Sequence, residues 1–438
     1  MRQGLFWSAV LLLILAMIAS FVSTPPLSWI SGFIYILYDT LLISFTAWTL
    51  HFRKSQVQDS QPEAQSPTLT VVVCYFNEGP DILNCWNHLK NQSKQPEQII
   101  FLDDGSTDQA SEILSKQGHS PNCQIVRKQR GGKAQSLNSI LPEIKTDYFV
   151  TLDADTLLES NAVQNLKKAL QDHPDWHLGG GLLIPTCRPG PSSFWMQTFQ
   201  RFEYIRAFLN RWAWTDWNCL LLVSGAFAFY RTNLVQKVGG FSEDSQVEDY
   251  ELTHRLYHSA KQLGIAQLRV AVVSSANATT DCPNTISHFL RQRRRWFAGF
   301  LQTHYQYRAM IGDASYGRLG TLMLPIKSLD TLQPLFGLTA LFYLIRQLLL
   351  NHSLPEPVVW ALGLKLLIDM IYHFDGLFLY LKWSKQSPGW SIWFQSIVIT
   401  LLEPFFFQPL RHFGALYGWM SLGQKDPFLP HDKSLTSS

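Results

Sequence analysis

The stretch Tyr148-Phe-Val-Thr-Leu-Asp-Ala-Asp-Thr156 begins like a buried strand and ends in two aspartates. Two earlier runs, Leu69 to Tyr75 and Gln98 to Leu102, are also rich in β-branched residues, which favour strands. A plausible helix over Asp81 to Asn91 separates these two runs. Strands that alternate with helices and carry polar groups at their carboxyl ends predict an α/β sheet that binds nucleotides at its switch point.

The composition indicates contact with lipid. Charged side chains make up 16% of the 438 residues, whereas soluble domains average about 25%. The net charge of +3 is too small to predict a nucleic-acid partner. The six cysteines show no metal-ligand spacing, and we interpret them as reduced structural thiols of a cytosolic domain.

Two apolar stretches open the chain, Leu5 to Val22 and Trp29 to Leu50. Each is long enough to cross the hydrocarbon layer as a helix. A signal peptide is the alternative for the first, but a cleaved secretory protein would not need a second stretch directly after it. The basic run His51-Phe-Arg-Lys54 follows the second stretch, so the positive-inside rule predicts that the next domain is cytosolic.

Apolar character returns towards the end of the chain. Leu332 to Leu350 and Val358 to Leu381 are long enough to span a membrane, and Lys382-Trp-Ser-Lys385 after them again predicts a cytosolic domain. Trp390 to Phe407 is a further span, interrupted by Glu403-Pro404. The sequence therefore predicts a multi-pass protein with about five spans.

The predicted layout places an α/β domain between two helical regions. Its parts are two transmembrane helices (1–52), a linker (53–68), a cytosolic α/β domain (69–305), an interfacial helix region (306–330), about three transmembrane or interfacial helices (331–423) and a tail (424–438).

Two pairs of aspartates follow predicted strands. Asp103 and Asp104 can receive a base or ribose through hydrogen bonds, although a simple turn is the alternative. Asp153 and Asp155 offer two hard oxygen ligands, which suit Mg²⁺ or Mn²⁺ shared with nucleotide phosphates. A solvated turn is the alternative for this second pair.

Two further groups of charged residues lie later in the chain. In Glu248-Asp249, a carboxylate can deprotonate an acceptor hydroxyl or complement a helix N-terminus. The run His288-Phe-Leu-Arg-Gln-Arg-Arg-Arg-Trp-Phe297 offers arginines for phosphate and a tryptophan for a sugar face. A basic helix at a membrane surface is the alternative for that run.

Taken in order, these motifs resemble those of family 2 glycosyltransferases of the GT-A fold, in particular the processive synthases of cellulose, chitin, hyaluronan and poly-N-acetylglucosamine. The ordered set is DDGS (103–106), GGKAQSLN (131–138), DAD (153–155), SGAFAFYR (224–231), ED (248–249) and QRRRW (292–296). The resemblance covers about Leu69 to Phe300 and the membrane layout on either side. It implies a Rossmann-like nucleotide-sugar domain with a mixed sheet, inserted between transmembrane helices.

The resemblance gives each motif an expected role. The expected general base is Asp249. The expected metal ligands are Asp153 and Asp155, with Mg²⁺ or Mn²⁺ as cofactor. The expected substrate-binding residues are Asp103 and Asp104 (uracil or ribose), Lys133 (donor phosphates), Glu248, Gln292, Arg295 (diphosphate) and Trp296 (acceptor sugar).

The segment Val223-Ser-Gly-Ala-Phe-Ala-Phe-Tyr-Arg231 resembles the acceptor-site segment of poly-N-acetylglucosamine synthases. This favours UDP-N-acetylglucosamine as donor over UDP-glucose. The family implies an inverting single displacement, in which Asp249 takes the acceptor proton and cations stabilise the departing UDP. The leading interpretation is therefore transfer of a hexose or N-acetylhexosamine to a growing β-linked polysaccharide, with export and with room for accessory export subunits.

Two other interpretations stay open. One is non-processive transfer of a single sugar to a membrane lipid such as a polyprenyl phosphate. The other is a membrane scaffold with an inactive transferase domain, which the complete set of charged motif residues disfavours. Short hydrophilic loops favour a bacterial inner membrane, with the lipid bilayer as a partner and the catalytic domain in the cytosol.

Lys365, Asp369 and His373 recur every four residues in a predicted span, so they share one helix face. Ionisable groups inside a membrane are a functional hypothesis by default. The hypothesis here is that this face lines a polymer passage or contacts an acceptor headgroup. A packed polar cluster between helices explains the same pattern equally well.

Overall fold

The structure is a computed structural model that describes residues 29–52, 65–79, 81–117, 121–385 and 389–422. The predicted first span (Leu5 to Val22), residues 53–64 of the predicted linker and the predicted tail (424–438) lie outside the described residues. The first transmembrane helix therefore stays a prediction.

Eight strands in the described residues form one mixed sheet. In chain order they are β1 (Leu69–Tyr75), β2 (Gln98–Asp103), β3 (Cys123–Arg127), β4 (Tyr148–Asp153), β5 (Thr156–Leu158), β6 (Leu178–Cys187), β7 (Phe227–Arg231) and β8 (Val270–Cys282). Their order across the sheet is β3-β2-β1-β4-β7-β6-β8-β5. β1 to β4 pair in parallel and β7 is antiparallel to both of its neighbours, so the predicted α/β class with a mixed sheet is confirmed.

Helices flank the sheet and continue beyond it. In chain order the α-helices of the described residues are α1 (Ile30–Phe52), α2 (Asp81–Lys90), α3 (Ala110–Ser115), α4 (Lys133–Ile140), α5 (Ala162–Asp172), α6 (Ser193–Asp216), α7 (Thr232–Lys237), α8 (Glu248–Ser259), α9 (Ile286–Gln306), α10 (Leu324–Asn351), α11 (Glu356–Ser384), α12 (Trp390–Leu402) and α13 (Phe407–Met420).

The parallel half of the sheet brings predicted site residues to one edge. β1 pairs with β2 on one side and with β4 on the other, and apolar side chains cover both of its faces. In this register Tyr75 lies beside Asp103, and Cys74 lies beside Asp153. The carboxyl ends of the three strands therefore meet at one edge, which is where α/β sheets bind nucleotides.

The other half of the sheet contains strands that the sequence pattern did not predict. In β6, a Cβ added at Gly179 would lie 2.6 Å from Phe229 Cζ, and one added at Gly181 would lie 2.1 Å from Phe227 Cε1. The rings of β7 thus fill the space that side chains on β6 would need. Glycine has no side chain that could mark a strand by apolar alternation. The sequence pattern therefore did not predict β6, which begins with three glycines after Leu178.

Three helices in the described residues are long and apolar enough to cross a membrane: α1, α10 with the π-helical turn before it (Leu319–Asn351), and α11. α12 and α13 pass the same test only as a pair, and they are bent by 60° relative to each other. The break falls between Leu402 and Phe407, at the Glu403-Pro404 interruption. The described residues therefore contain three candidate spans by length and composition, or four if the bent pair is one span.

A charged cluster connects α6 to the candidate membrane helices. Arg206 of α6 pairs with Asp39 of α1, and Lys365 of α11 lies 2.9 Å from Asp39 and also pairs with Asp369. His373 Nδ1 lies 2.8 Å from a threonine hydroxyl of α12. These contacts fit a packed polar cluster between helices, but Lys365 and Asp369 also line a cavity, so both interpretations of this helix face stay open.

The hydrophobic core continues from the sheet into the C-terminal helices. One cluster of buried residues contains Val72 of β1 together with Leu377 of α11 and Ile399 of α12. A second cluster contains Val71 and Val73, because successive side chains of a strand point to opposite faces. One face of the sheet therefore packs in the same core as the C-terminal helices.

Candidate active site

Asp103 and Asp104 follow β2 and are engaged by the chain itself. Asp103 is fully buried, and its carboxylate accepts hydrogen bonds from the Ser106 amide at 2.7 Å and from a serine hydroxyl of α3. Asp104 accepts from the amides of Gly131 and Gly132 at 2.9 and 3.0 Å. The two aspartates thus shape the turn after β2 and the glycine loop before α4. Their contact with uracil or ribose stays a prediction.

Lys133 links the end of β4 to the start of α8. It follows Gly132, whose φ of 90° favours glycine and turns the chain into α4. The Lys133 ammonium donates to Asp153 Oδ1 at 2.5 Å and to the Gly225 carbonyl at 3.2 Å, and it lies 3.8 Å from Glu248 Oε1. Burial lowers the pKa of Lys133, but Asp153 and then Glu248 outweigh burial and raise that pKa well above its usual value.

Asp153 and Asp155 lie on either side of Ala154 at the carboxyl end of β4. The Asp153 side chain is 38% exposed and Asp155 is half-buried. In the described residues, no group of three or more His, Cys, Asp or Glu side chains can hold a metal by itself. Two carboxylates still suit Mg²⁺ or Mn²⁺ when phosphates and water complete the ligand set. The pair therefore fits a divalent cation that is shared with a bound diphosphate.

Two backbone amides hold Asp249 at the start of α8. The Gly225 amide donates to Asp249 Oδ2 at 2.6 Å, and the Tyr250 amide donates to Oδ1 at 2.7 Å. Burial first, and then the negative charge of Glu248, raise the pKa of Asp249 to about 6, against the opposing effects of these amides and Lys133. A carboxylate with a pKa near the working pH is suited to accept a proton. Asp249 thus has the orientation and acidity of a general base.

The basic run of α9 contains exposed, half-buried and buried arginines, and Arg291 is the exposed one. Arg293 and Arg294 are buried, and Arg293 pairs with Glu203 of α6 at 2.5 Å. A Cβ added at Gly414 of α13 would lie 2.7 Å from the Arg293 Cβ. Arg295 is half-buried, and its guanidinium donates to the Gln246 carbonyl at 3.1 Å. Arg293 and Arg294 therefore support helix packing, which corrects the membrane-surface interpretation for these two residues.

The three residues of the Q-x-x-R-W pattern share one side of α9, because positions three and four apart on a helix are neighbours. Gln292 Oε1 is buried and has no hydrogen-bond partner within the described ranges. The Trp296 ring is half-buried, and the Arg293 guanidinium lies 4.3 Å from its centroid. Gln292 thus retains an acceptor for a ligand, while Trp296 is held in orientation by a neighbouring cation.

Sequence reasoning missed three residues, of which Gly225 positions the site while Glu203 and Arg206 anchor α6 to its neighbours. Gly225 was quoted only as part of a motif, yet it orients Asp249 through its amide and Lys133 through its carbonyl. Glu203 and Arg206 lie in α6, a stretch to which no element was assigned. The signal that could have found them is two opposite charges three positions apart in a segment rich in aromatic residues.

Residues 70–239 match the family model described as glycosyl transferase family 2. The chain carries a family 2 glycosyltransferase domain. The matched range of this glycosyltransferase domain runs from β1 to the end of α7 and includes Asp103, Lys133 and Asp153. Asp249 and the Q-x-x-R-W residues lie beyond it.

Two curated relatives resemble the glycosyltransferase domain and its surroundings. One is glycosyltransferase GlyG of Streptococcus pneumoniae serotype 4, 28% identical over 205 residues, which are 45% of this chain and 67% of GlyG. The other is the poly-beta-1,6-N-acetyl-D-glucosamine synthase of Staphylococcus aureus strain COL, 24% identical over 274 residues. That alignment covers 62% of this chain and spans only 61% of the synthase's length.

A solved structure shares the fold of this glycosyltransferase. It is the mannosyltransferase PcManGT from Pyrobaculum calidifontis in complex with GDP-Man and Mn²⁺, with a TM-score of 0.56 and 18% sequence identity. The superposition covers 87% of this chain and 98% of PcManGT. With the family 2 domain, this likeness confirms the predicted GT-A fold flanked by helices that could span a membrane.

Proposed function

We propose that this protein is a membrane-embedded, inverting glycosyltransferase that moves a hexose or N-acetylhexosamine from a UDP-sugar to a growing β-linked polysaccharide. The observation that carries the proposal is the Lys133 ammonium, 2.5 Å from Asp153 and 3.8 Å from Glu248. It brings the predicted metal pair and the helix of the predicted base into one cluster. A donor diphosphate and an acceptor hydroxyl can therefore meet at this edge of the sheet.

The proposed base is Asp249, whose carboxylate is oriented by the Gly225 and Tyr250 amides. In this role it removes the proton from the acceptor hydroxyl as that oxygen attacks the anomeric carbon, and UDP leaves from the opposite face. Single displacement of this kind inverts the anomeric configuration. Burial, and then the charge of Glu248 beside it, raise the pKa of the Asp249 carboxylate and so make it basic enough to take the proton.

The proposed diphosphate site combines fixed cations with a metal pair. Asp153 and Asp155 would hold Mg²⁺ or Mn²⁺, which when bound supplies charge neutralisation to the diphosphate. Lys133 and Arg295 add positive charge that is already in place before reaction, and such preorganised charge stabilises a leaving anion. Asp103 and Asp104 would shape the pocket for uracil and ribose from the turn after β2.

The proposed acceptor side uses α9. Gln292 offers a buried carbonyl oxygen, and Trp296 offers a ring face for an apolar sugar face. The segment Val223 to Arg231 resembles that of poly-N-acetylglucosamine synthases, and a curated relative bears that name. Both facts favour UDP-N-acetylglucosamine as donor, with UDP-glucose as the competitor.

A second candidate function is transfer of one sugar to a membrane lipid. A cavity of about 150 Å³ lies between α1, α10, α11 and the break before α13, and most of its lining is apolar. Arg206, Lys365 and Glu403 contribute charged groups to the same lining. An apolar cavity with a charged side suits a lipid acceptor as well as it suits a passage for a polymer.

The proposed location is a bacterial inner membrane, with the catalytic domain in the cytosol. Three helices long and apolar enough to span support membrane insertion. The basic residues after Leu50 and Leu381 favour the cytosolic side for the domain. Accessory export subunits would be partners in a polymer-secreting assembly.

The deciding test is product analysis with the purified full chain in lipid nanodiscs. Radiolabelled UDP-N-acetylglucosamine and UDP-glucose are supplied in parallel with Mg²⁺ or Mn²⁺. Asp249→Asn removes the base, and Asp244→Asn, on an exposed loop, is the matched control. A long product cut by a linkage-specific hydrolase supports the polysaccharide synthase. A singly glycosylated lipid supports the second candidate, and no transfer from any donor by the wild type contradicts both.

A further inference from the structure

Cys187 and Cys282 are neighbours at the ends of two paired strands. Cys187 ends β6, Cys282 ends β8, and the two residues are direct partners in the parallel ladder. Adjacent strands lie about 4.8 Å apart, which falls within the roughly 4.4–6.8 Å range of Cα separations in disulfides. The two Sγ atoms lie 3.0 Å apart, and both cysteines are free thiols. A covalent bond between them therefore requires only a short approach of the two sulfur atoms.

The surroundings of the two thiols differ. Cys187 is half-buried next to exposed Arg188, and its sulfur receives a weak hydrogen bond from Gln200 Nε2 at 3.8 Å. The contact with Cys282 lowers the pKa of the Cys187 thiol. Cys282 is only 5% exposed, and the same contact, together with burial, raises the pKa of its thiol. Cys187 is thus the thiol that a small oxidant can reach, and Cys282 is the thiol that can resolve the product.

We propose that Cys187 and Cys282 form a reversible redox modification site, oxidised to an intramolecular disulfide by a low-molecular-weight disulfide such as oxidised glutathione. The Cys187 thiolate attacks one sulfur of oxidised glutathione and releases one glutathione thiolate, leaving a mixed disulfide. The Cys282 thiol then loses its proton and attacks Cys187 Sγ, which expels the second glutathione. Two cysteine thiols are oxidised, and one glutathione disulfide is reduced to two thiols.

The position of the pair connects this chemistry to the active site. Cys187 packs against the cluster of Met196, Phe289 and Phe407, where α6, α9 and α13 meet. β6 leads into α6 and β8 leads into α9, the helix that carries Arg295. A bond between the two sulfur atoms, about 2.05 Å long, would tether the ends of β6 and β8 and so restrict the relative motion of the two helices that follow them. We therefore expect the oxidised protein to transfer sugar several-fold more slowly.

The test uses the full chain in nanodiscs, incubated with oxidised or reduced glutathione and then blocked with iodoacetamide. Mass spectrometry of the digest should find the Cys187 and Cys282 peptides joined after oxidation and separate after dithiothreitol. Cys187→Ser should abolish the joined peptide, and Cys282→Ala gives a second variant if the first folds poorly. Cys85→Ser, a buried cysteine of α2, is the matched control and should behave as the wild type.

The covalent result does not depend on catalysis, whereas the rate effect rests on the proposed function. Alkylation or glutathionylation of both cysteines without a joined peptide overturns the modification site. A joined peptide with an unchanged transfer rate overturns the regulatory consequence. If the reduced wild-type protein transfers no sugar but forms the disulfide on oxidation, the proposed function is contradicted and the proposed modification site is supported.

Discussion

The backbone amide of Gly225 donates a hydrogen bond to Asp249 Oδ2 at 2.6 Å, so the orientation of the proposed base depends on the segment just before β7. The glycine is needed for this close approach. A Cβ at position 225 would lie 2.9 Å from Asp249 Oδ2 and 3.3 Å from its Cβ and Cγ. A side chain there must therefore displace the carboxylate.

Gly225→Ala should lower kcat/KM for sugar transfer about 10- to 100-fold, because a misplaced general base loses part of its roughly 10²- to 10⁴-fold contribution. Initial rates with saturating acceptor measure the effect, and the thermal denaturation midpoint checks that the fold is retained. Gly363→Ala in α11, where an added Cβ meets nothing within 4 Å, should leave the rate unchanged. Equal loss in both variants would contradict the role given to Gly225.

The pH dependence of kcat/KM should report Asp249. A base works in its deprotonated form, so activity should rise with pH through about 6, the raised pKa of Asp249. Glu248→Gln removes the negative neighbour that helps to raise this pKa, so the acid limb should move to lower pH. The measurement is a kcat/KM profile from pH 4.5 to 8 for both proteins, about two units on either side of the expected midpoint. An acid limb that stays in place would show that Glu248 does not act on the titrating group.

Lys133→Gln should shift the acid limb in the opposite direction. The Lys133 charge lowers the pKa of Asp249, so its removal should raise that pKa and move the acid limb to higher pH. The same variant loses a cation beside the proposed diphosphate site and should bind the UDP-sugar more weakly, which donor titration by calorimetry would detect. Lys128→Gln, at a half-buried lysine in the loop after β3, serves as the matched control. If the acid limb of Lys133→Gln instead moves to lower pH, as expected for Glu248→Gln, the proposed electrostatics are contradicted.

Asp39→Asn should destabilise the packing of α6 against the membrane helices. The change leaves Arg206 without the carboxylate it contacts and deprives Lys365 of one of two partners. Breaking a buried pair by removing one member costs about 3–5 kcal/mol, and the low end is expected because Lys365 keeps Asp369. Thermal denaturation of the detergent-solubilised protein measures the loss.

The control for this experiment is Asp375→Asn. Asp375 pairs with His51 at 2.7 Å, but both side chains are partly exposed, so the change should cost no more than about 1 kcal/mol. If the two variants unfold at the same temperature, the Asp39 cluster contributes no more to the free energy of unfolding than a partly exposed ion pair does.

The parallel half of the fold was predictable, and the reason lies in burial. β1 and β4 are covered on both faces, so their residues form continuous apolar runs that stand out in the sequence. The predicted bounds Leu69 to Tyr75 are those of β1. β6 and β8 were not predicted, because glycines at positions 179–181 and the polar run after Val273 carry no strand period.

The site was predictable as a set of motifs but not as a set of contacts. The order of the acidic and basic motifs indicated Asp249 and Lys133, whereas the amide of Gly225 that holds the base has no side chain to mark it. Arg206 lies 167 positions after Asp39, so no local pattern could pair them. The arginine run of α9 also could not be divided from sequence alone, since the packing of α6 and α13 decides which arginines are covered.

The shared core of the sheet and the C-terminal helices has a consequence for how the chain is made. Val72 of β1 packs in one cluster with Leu377 and Ile399, which leave the ribosome some three hundred residues later along the 438-residue chain. The face of the sheet that these helices cover stays open until they have been synthesised and inserted. A chain cut short before α11 would therefore expose to water an apolar face of the sheet that the longer chain buries, and exposed apolar faces of this kind are prone to aggregation.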